Sequence, residues 1–394
     1  HVLPGEHFVL IDVSGYIYRA YHKVPAMMNR EGININSVRS FCVNLMRLLF
    51  QTFPQANLVA VFDPPGGSFR SELAATYKAN RPPPPDDLIP QFGLVREAAA
   101  AFSVPCVEVP GFEADDVIAT IAKNVSEAGG QVTLISSDKD LYQLLTPTVQ
   151  MYSPLDKAYI LPEKVQDKFG VGPDQVAQVQ ALAGDSSDNV PGVPGIGVKT
   201  AAKLIDEYGS VEGLLASAAK IKQKRVRESL LDPVNAQKAR VSLELVTLRT
   251  DVPVPAIPLL RRRHSDRALL QAFFDAQGIS IAIPSAADKV NGPPGIAFPS
   301  GAALVSSGGL TGASASAGSA AGSKSPLKGA GAIAAPLDGL MEGAYEVVED
   351  LEDVDRWMRA AEAEGILAVE PVATSGDGQD AELTGIAVSV KAGA

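Results

Sequence analysis

The sequence predicts an α/β protein with a largely parallel central sheet flanked by helices on both faces. Three observations carry this. Apolar runs alternate with helix-period segments through the first 284 or so residues. Three of those runs, HFVLID, NLVAVFD and VTLISSDKD, end in aspartate, at Asp12, at Asp63, and at Asp138 and Asp140. Between them lie stretches with apolar residues at helical spacing, such as SFCVNLMRLLFQTF and DDVIATIAKNVSEAG. In such sheets, sites form at the carboxyl ends of the strands.

A fourth apolar segment, CVEV, runs into GFEADDVIATI, which puts Glu113, Asp115 and Asp116 within four positions. Acids suit the first turn of a helix, where the macrodipole is positive, and that alone is one reading of this turn. The other is a metal site, which requires further carboxylates from distant parts of the chain. They are present in Asp12, Asp63, Asp138 and Asp140, and Asp185 and Asp188 extend the set from a short loop after an apparent helix. Like charges gathered on one sheet edge need a cation. An oxygen-only donor set points to Mg²⁺ or Mn²⁺ and not to zinc.

The stretch 181–210, ALAGDSSDNVPGVPGIGVKTAAKLIDEYGS, places a tight glycine turn ahead of a helix opening near Val198. Helix, glycine hairpin and helix together make a backbone-phosphate grip, with amides aimed at an anion and charge added by Lys199 and Lys203. Such a grip reads no bases, so binding is expected to be sequence-independent and salt-sensitive. In YKANRPPPPDD, Tyr77, Lys78 and Arg81 precede a four-proline run that cannot be ordinary helix. Basic side chains there are suited to hold a scissile phosphate, and the aromatic ring to stack on a base.

Composition bounds the remaining possibilities. The chain has 394 residues, 46% hydrophobic and 20% charged, enough for two soluble domains. Cys42 and Cys106 are its only cysteines, too few for a disulfide framework or a zinc cluster, and a reducing, cytoplasmic setting is expected. No apolar run is long enough to cross a bilayer. The net charge of −11 is uneven: residues 342–394 hold thirteen acids and three bases, whereas residues 1–285 hold 30 acids and 28 bases. With nine acids neutralised by metal, the first region becomes basic and suits a polyanionic partner. Residues 285–341 are rich in Gly, Ala and Ser without an apolar period, as in a flexible linker. Beyond it YEVV, GILAVE and ELTGIAVSV read as strands, the first two flanking a helix-like EDLEDVDRWMRAAEAE. The start at His1 and the stop at Ala394 just after a strand-like run suggest a fragment.

Six stretches in order, IDVSGYIYRAYH, VFDPPGGSFR, YKANRPPPPDDL, FEADDVIATIA, ISSDKDLYQLL and GDSSDNVPGVPGIGVKTA, resemble the 5′ nuclease (flap endonuclease-like) domain at the N-terminus of bacterial DNA polymerase I proteins. The resemblance covers residues 7 to about 280. It implies a PIN-like 5′ nuclease fold, with a catalytic core at 1–175 and a helix–hairpin–helix DNA-binding subdomain at 176–284. It implies 5′-3′ exonuclease and flap endonuclease activity on flapped, nicked or branched duplex DNA, by a monomer holding two divalent ions. Asp12, Asp63, Glu113 and Asp115 would surround one ion; Asp116, Asp138, Asp140, Asp185 and Asp188 would serve the second or its water shell. Arg19, Lys78 and Arg81 map to the family's catalytic basic residues, with Tyr77 near a flipped nucleotide. Gly192, Gly195, Gly197, Lys199, Thr200 and Lys203 map to the DNA grip, where a monovalent cation also fits the family's pattern.

Three positions depart from that pattern: Val13 replaces a usual Gly, Ile35-Asn36 a small Thr-Gly pair, and Gly67 a common lysine. None is a metal ligand. The tail resembles the start of a ribonuclease H-like proofreading domain, truncated. Alignment through LTGIAVSV puts Glu370 and Val372 where that fold carries an Asp-x-Glu pair, so no proofreading site is expected. A longer parent carrying a polymerase domain is expected. Two competing readings remain: a non-catalytic module that positions a polymerase, which could dispense with carboxylates, and a sheet-type ribonuclease, which lacks the hairpin grip.

Overall fold

The computed structural model describes residue 2 and residues 5–154, 157–262, 266–284, 368–373 and 383–389. These fall into two compact units, one within residues 1–307 and one within 308–394.

In the first unit, β1 (His7–Asp12) leads into α1 (Val13–Lys23) and α2 (Asn36–Arg47), which a π-helical turn extends to Thr52. There follow β2 (Asn57–Val61), the short α3 (Phe69–Leu73), α4 (Ile89–Ala101), β3 (Cys106–Val107), α5 (Ala114–Glu127) and β4 (Gln131–Ile135). A 3₁₀ turn at Lys139–Leu144 precedes β5 (Val149–Ser153), β6 (Ala158–Ile160) and α6 (Pro162–Phe169). The sheet order is β3-β2-β1-β4-β5-β6, parallel throughout except for the edge strand β6. The carboxyl ends of the five parallel strands therefore share one edge, which is why aspartates far apart in sequence can meet.

Side chains alternate across the sheet with period two, as strand geometry requires. Phe8, Leu10, Val59, Val61, Val132 and Leu134 face one core with α5. Val9, Ile11, Leu58 and Ala60 face the other with α1, α2 and α4. Both faces are apolar because both are covered, as in other parallel sheets. The strand expected at CVEV is only two residues long.

Five helices follow: α7 (Val176–Ala183), α8 (Val198–Tyr208), α9 (Val211–Ala216), α10 (Lys224–Leu231) and α11 (Pro233–Val246). The core that includes α5 continues through them without a break. The last helix, α12 (Arg267–Gln277), returns to the other face, where Phe274 meets Phe102 of the segment after α4 at 5.9 Å between ring centroids. Cys42 and Cys106 are free thiols. No helix among the described residues is long and apolar enough to cross a membrane.

The second unit shows two antiparallel strands, β7 (Ala368–Ala373) and β8 (Leu383–Ser389), with Glu370 paired to Ala387 and Val372 to Gly385. They correspond to GILAVE and ELTGIAVSV, the first displaced toward its carboxyl end. The linker, the YEVV strand and the helix-like stretch expected before GILAVE lie outside the described residues.

Candidate active site

Asp12 ends β1 and caps α1. Its carboxylate accepts the Gly15 amide at 3.2 Å and the Ser136 hydroxyl at 2.8 Å. Burial pushes this carboxyl up to about 6, against the Ser136 bond and with help from the nearby charges of Asp63 and Asp138. Asp63, just past β2, accepts the first amide of α5 from Ala114 at 2.8 Å, so a strand end and a helix start are pinned together. Asp115, one residue into α5, is raised well above the carboxylate range by burial and then by Asp138 and Asp12. After β4, Asp138 caps the 3₁₀ turn by accepting the Asp140 amide at 3.0 Å. Asp140 is pushed up to about 6, by burial and then by Asp138; Gln180 of α7 donates to it at 2.6 Å and opposes the shift. Asp12, Asp115 and Asp140 thus each lie close enough to neighbouring carboxylates for those charges to add to the effect of burial.

Glu113, the N-cap of α5, turns toward a basic segment. It accepts the Ser68 hydroxyl at 3.1 Å, the Tyr77 hydroxyl at 3.1 Å and the Lys78 ammonium at 2.8 Å. Asp188 meets Arg81 at 2.5 Å and Lys78 at 3.7 Å. Burial pushes the Asp185 carboxyl up, but the bonded Lys139 ammonium and the hydrogen bonds from Ser187 together outweigh this and leave it below the usual range. Burial would lower the Lys78 ammonium, yet Glu113 and Asp188 raise it above its ordinary value. Residues 76–81 are also moored by their backbone: Lys78 N–H donates to Asp188 O at 2.9 Å and Asn189 donates to Thr76 O at 2.8 Å. Lys78 takes a φ of +52°, the left-handed region that L residues seldom occupy, and Asn189 one of +58°.

The nine carboxylates divide. Among the described residues, no three acidic, His or Cys side chains close on a point as a preformed metal cage. Lys78 stands between Glu113 and Asp188, while Arg81 pairs with Asp188 and Lys139 with Asp185. Asp116, expected with the second ion, stands apart: it is fully buried, and both of its oxygens are taken by Arg70, at 2.6 and 2.8 Å. It also forms a capping box with Glu113. The acidic turn is therefore part helix cap and part site, with Asp115 on the site side.

One further expectation changes. Tyr77 was expected to offer its ring to a base, but it is only 8% exposed, and its hydroxyl donates to Glu113 and lies 3.3 Å from Asp188. Burial first, then these two charges, raises the phenol above its ordinary range. Arg19 of α1 donates to the Ser137 hydroxyl at 3.1 Å, beside Asp138. Arg70, Ser68, Ser136 and Gln180 were missed by sequence reasoning. The available signal for Arg70 was an arginine ending the otherwise uncharged PPGGSFR after Asp63.

The hairpin keeps its expected shape. Gly192 has φ +59°, and a Cβ there would collide with the backbone of Ala183 and Gly184, so the two turns touch directly. Gly195 has φ +84°, and Gly197 caps α8. Lys199 and Lys203 are exposed, Thr200 half-buried.

Comparison with known proteins bears on the family and the fold. Residues 7–170 match the family model of the 5′-3′ exonuclease N-terminal resolvase-like domain, and residues 171–268 that of the 5′-3′ exonuclease C-terminal SAM fold. DNA polymerase I of Rhizobium leguminosarum is 38% identical over 98% of this chain and 41% of its own length. The thermostable DNA polymerase I of Thermus thermophilus is 38% identical over 69% of this chain and 32% of its own. The chain thus spans less than half the length of these relatives. Among solved structures, T5 5′-exonuclease with zinc bound superposes with a TM-score of 0.54 at 24% identity, covering 70% of this chain and 99% of that one. A bacteriophage T5 flap endonuclease in a pseudo-enzyme–product complex with DNA and metal ions gives 0.51 at 23%, with the same coverage. At these identities the two structures speak for the fold.

Proposed function

The chain belongs to the 5′-3′ exonuclease family, and on that premise we propose that residues 1–284 form a metal-dependent, structure-specific 5′-3′ exonuclease and flap endonuclease. Residues 1–175 would be the catalytic core and 176–284 the DNA-binding helices. Its substrate would be flapped, nicked or branched duplex DNA, gripped without regard to sequence. The observation that carries this reading is the set of Asp12, Asp115 and Asp140 at the carboxyl edge of the sheet, all beside Asp138, whose carboxyls burial and then neighbouring carboxylate charge hold high. A cation there would ionise all three, which is the chemistry of an all-oxygen site for Mg²⁺ or Mn²⁺.

Asp12, Asp63, Glu113 and Asp115 would hold one ion, and Asp138, Asp140, Asp185 and Asp188 a second. When bound, such ions supply a water of lowered pKa and charge opposite the leaving oxygen of an in-line displacement. Asp116 is outside this set because its oxygens are committed to Arg70. Ser136 and Gln180 orient Asp12 and Asp140 through their hydrogen bonds. Lys78 and Arg81, paired with Glu113 and Asp188, are placed to transfer to the scissile phosphate and neutralise its developing charge. Gly195 and Gly197, both exposed, would offer backbone amides to duplex phosphate, with Lys199 and Lys203 beside them, while Gly192 shapes the turn with its own amide held by Ser242. The parent protein would be a DNA polymerase I, as the long relatives are, working in primer or flap removal. Residues 342–394 would begin a second domain without proofreading activity.

The test is cleavage of a 5′-flap duplex with Mg²⁺ and with excess chelator. Metal-dependent release of the flap supports the reading; undiminished cleavage in chelator, or none with either metal, sinks it.

A further inference from the structure

Arg70 heads the large side chains sealed inside the protein, at 1% exposure. A buried guanidinium is tolerated only when its donors and charge are met. Here they are met from three directions. Nη1 and Nη2 fork onto Asp116 at 2.6 and 2.8 Å, Nε donates to Leu245 O at 2.7 Å, and Nη2 also reaches Thr247 O at 3.2 Å. Asp116 in turn accepts the Arg249 amide at 2.8 Å and the Glu113 amide at 3.3 Å. One ion pair therefore fastens α3, the acidic turn that opens α5, and the chain leaving α11.

The third of these reaches the duplex grip. Ser242 on α11 accepts the Gly192 amide of the hairpin at 3.1 Å. Gln143, three residues after Asp140, donates to Val246 O at 3.0 Å and accepts the Leu248 amide at 3.1 Å. The end of α11 is thus held at one side to the hairpin and at the other to the acidic turn, over about a single turn of helix.

We propose that Arg70 is a positioning residue that sets the register between the duplex grip and the carboxylates of the acidic turn, so that engagement of duplex at the hairpin places Glu113 and Asp115 against the scissile phosphate. The inference rests on the nuclease reading above. The planar fork matters because a lysine cannot meet two carboxylate oxygens and two carbonyls at once.

Two variants test it: Arg70→Lys, which keeps the charge but loses the fork, and Arg70→Met combined with Asp116→Leu, which replaces the buried pair by apolar side chains of similar volume. Melting temperature, duplex affinity and the single-turnover rate on a 5′-flap substrate are measured, each on a long duplex and on one cut short of the hairpin. In wild type, shortening the duplex is expected to slow the single turnover, and a wild-type rate indifferent to duplex length overturns the proposal. In a folded variant the long-duplex rate is expected to fall roughly 30-fold or more, as for other misplaced catalytic groups, with affinity within about twofold. The rate should then respond little to duplex length. A folded variant that keeps the wild-type rate, or loses rate and affinity in equal measure, or shows the wild-type dependence on duplex length, overturns the proposal. Should wild type itself release no flap, it is the nuclease reading that fails.

Discussion

The Tyr77 hydroxyl donates to Glu113 Oε2 at 3.1 Å, with its ring folded under the basic segment it belongs to. A phenol in that place orients a carboxylate; it does not present a face to a base. Tyr77→Phe is therefore expected to slow flap cleavage roughly 10-fold or more, the worth of one hydrogen bond to a charged group, with flap affinity unchanged. Rate constants and binding isotherms on one flap substrate decide this. A silent Tyr77→Phe beside a crippled Tyr77→Ala would restore the stacking role.

Asp115 is half-buried beside Asp138, Asp12 and Asp63 and is held well above its ordinary range, by desolvation before repulsion. Asp115→Asn is expected to abolish cleavage in Mg²⁺ while raising the melting temperature in chelator, because it removes a desolvated repulsive group. A variant that melts lower than wild type in chelator would show that the carboxylate is a structural support.

Lys78 and Arg81 stand on the acids they would leave when substrate arrives. Lys78→Ala and Arg81→Ala should each cut turnover roughly 100-fold, as for other single electrostatic donors, and weaken binding far less. Equal losses in rate and affinity would reduce their role to general attraction. The left-handed φ of Lys78 makes Lys78→Gly a useful partner, since it relieves the backbone while removing the charge.

At the hairpin, Lys199 is exposed at the start of α8. Lys199→Ala should weaken duplex binding about equally for all sequences and reduce the slope of log affinity against log salt by about 1. A loss that tracks base sequence would argue against a phosphate grip.

His7 on β1 contacts Thr133 at 2.9 Å, and burial pulls its imidazole down to about 4. A folded-state pKa below the unfolded one means that the unfolded chain takes up the proton first. The neutral ring's contribution is complete above pH 6.5 and is lost as pH falls from there toward 4, by about 1–3 kcal/mol. Urea midpoints of wild type and His7→Gln across that window should show the shallower decline in the variant; parallel curves would remove His7 as the cause.

Much of this protein was legible in its sequence because the rules involved are local. Strand runs ending at Asp12 and Asp63, the periodic stretch that became α5, and the glycines that only a left-handed hairpin needs all announce themselves within a few residues. A parallel sheet then brings its carboxyl ends to one edge, so the gathering of Asp12, Asp63, Asp115 and Asp138 follows from topology.

Tertiary structure alone decided which neighbour each charge would keep. Asp115 and Asp116 are adjacent and chemically identical. One turn of α5 sends the first toward Asp138 and Asp12, and the second into the fork of Arg70, 46 residues away in the chain. Tyr77 in the same way is an exposed aromatic on paper and a buried hydroxyl donor in the fold. Helical spacing fixes only the direction in which a side chain leaves its backbone. What it meets there depends on chain segments far away in sequence, such as the carbonyls of Leu245 and Thr247, 175 and 177 residues distant, that complete the shell around Arg70.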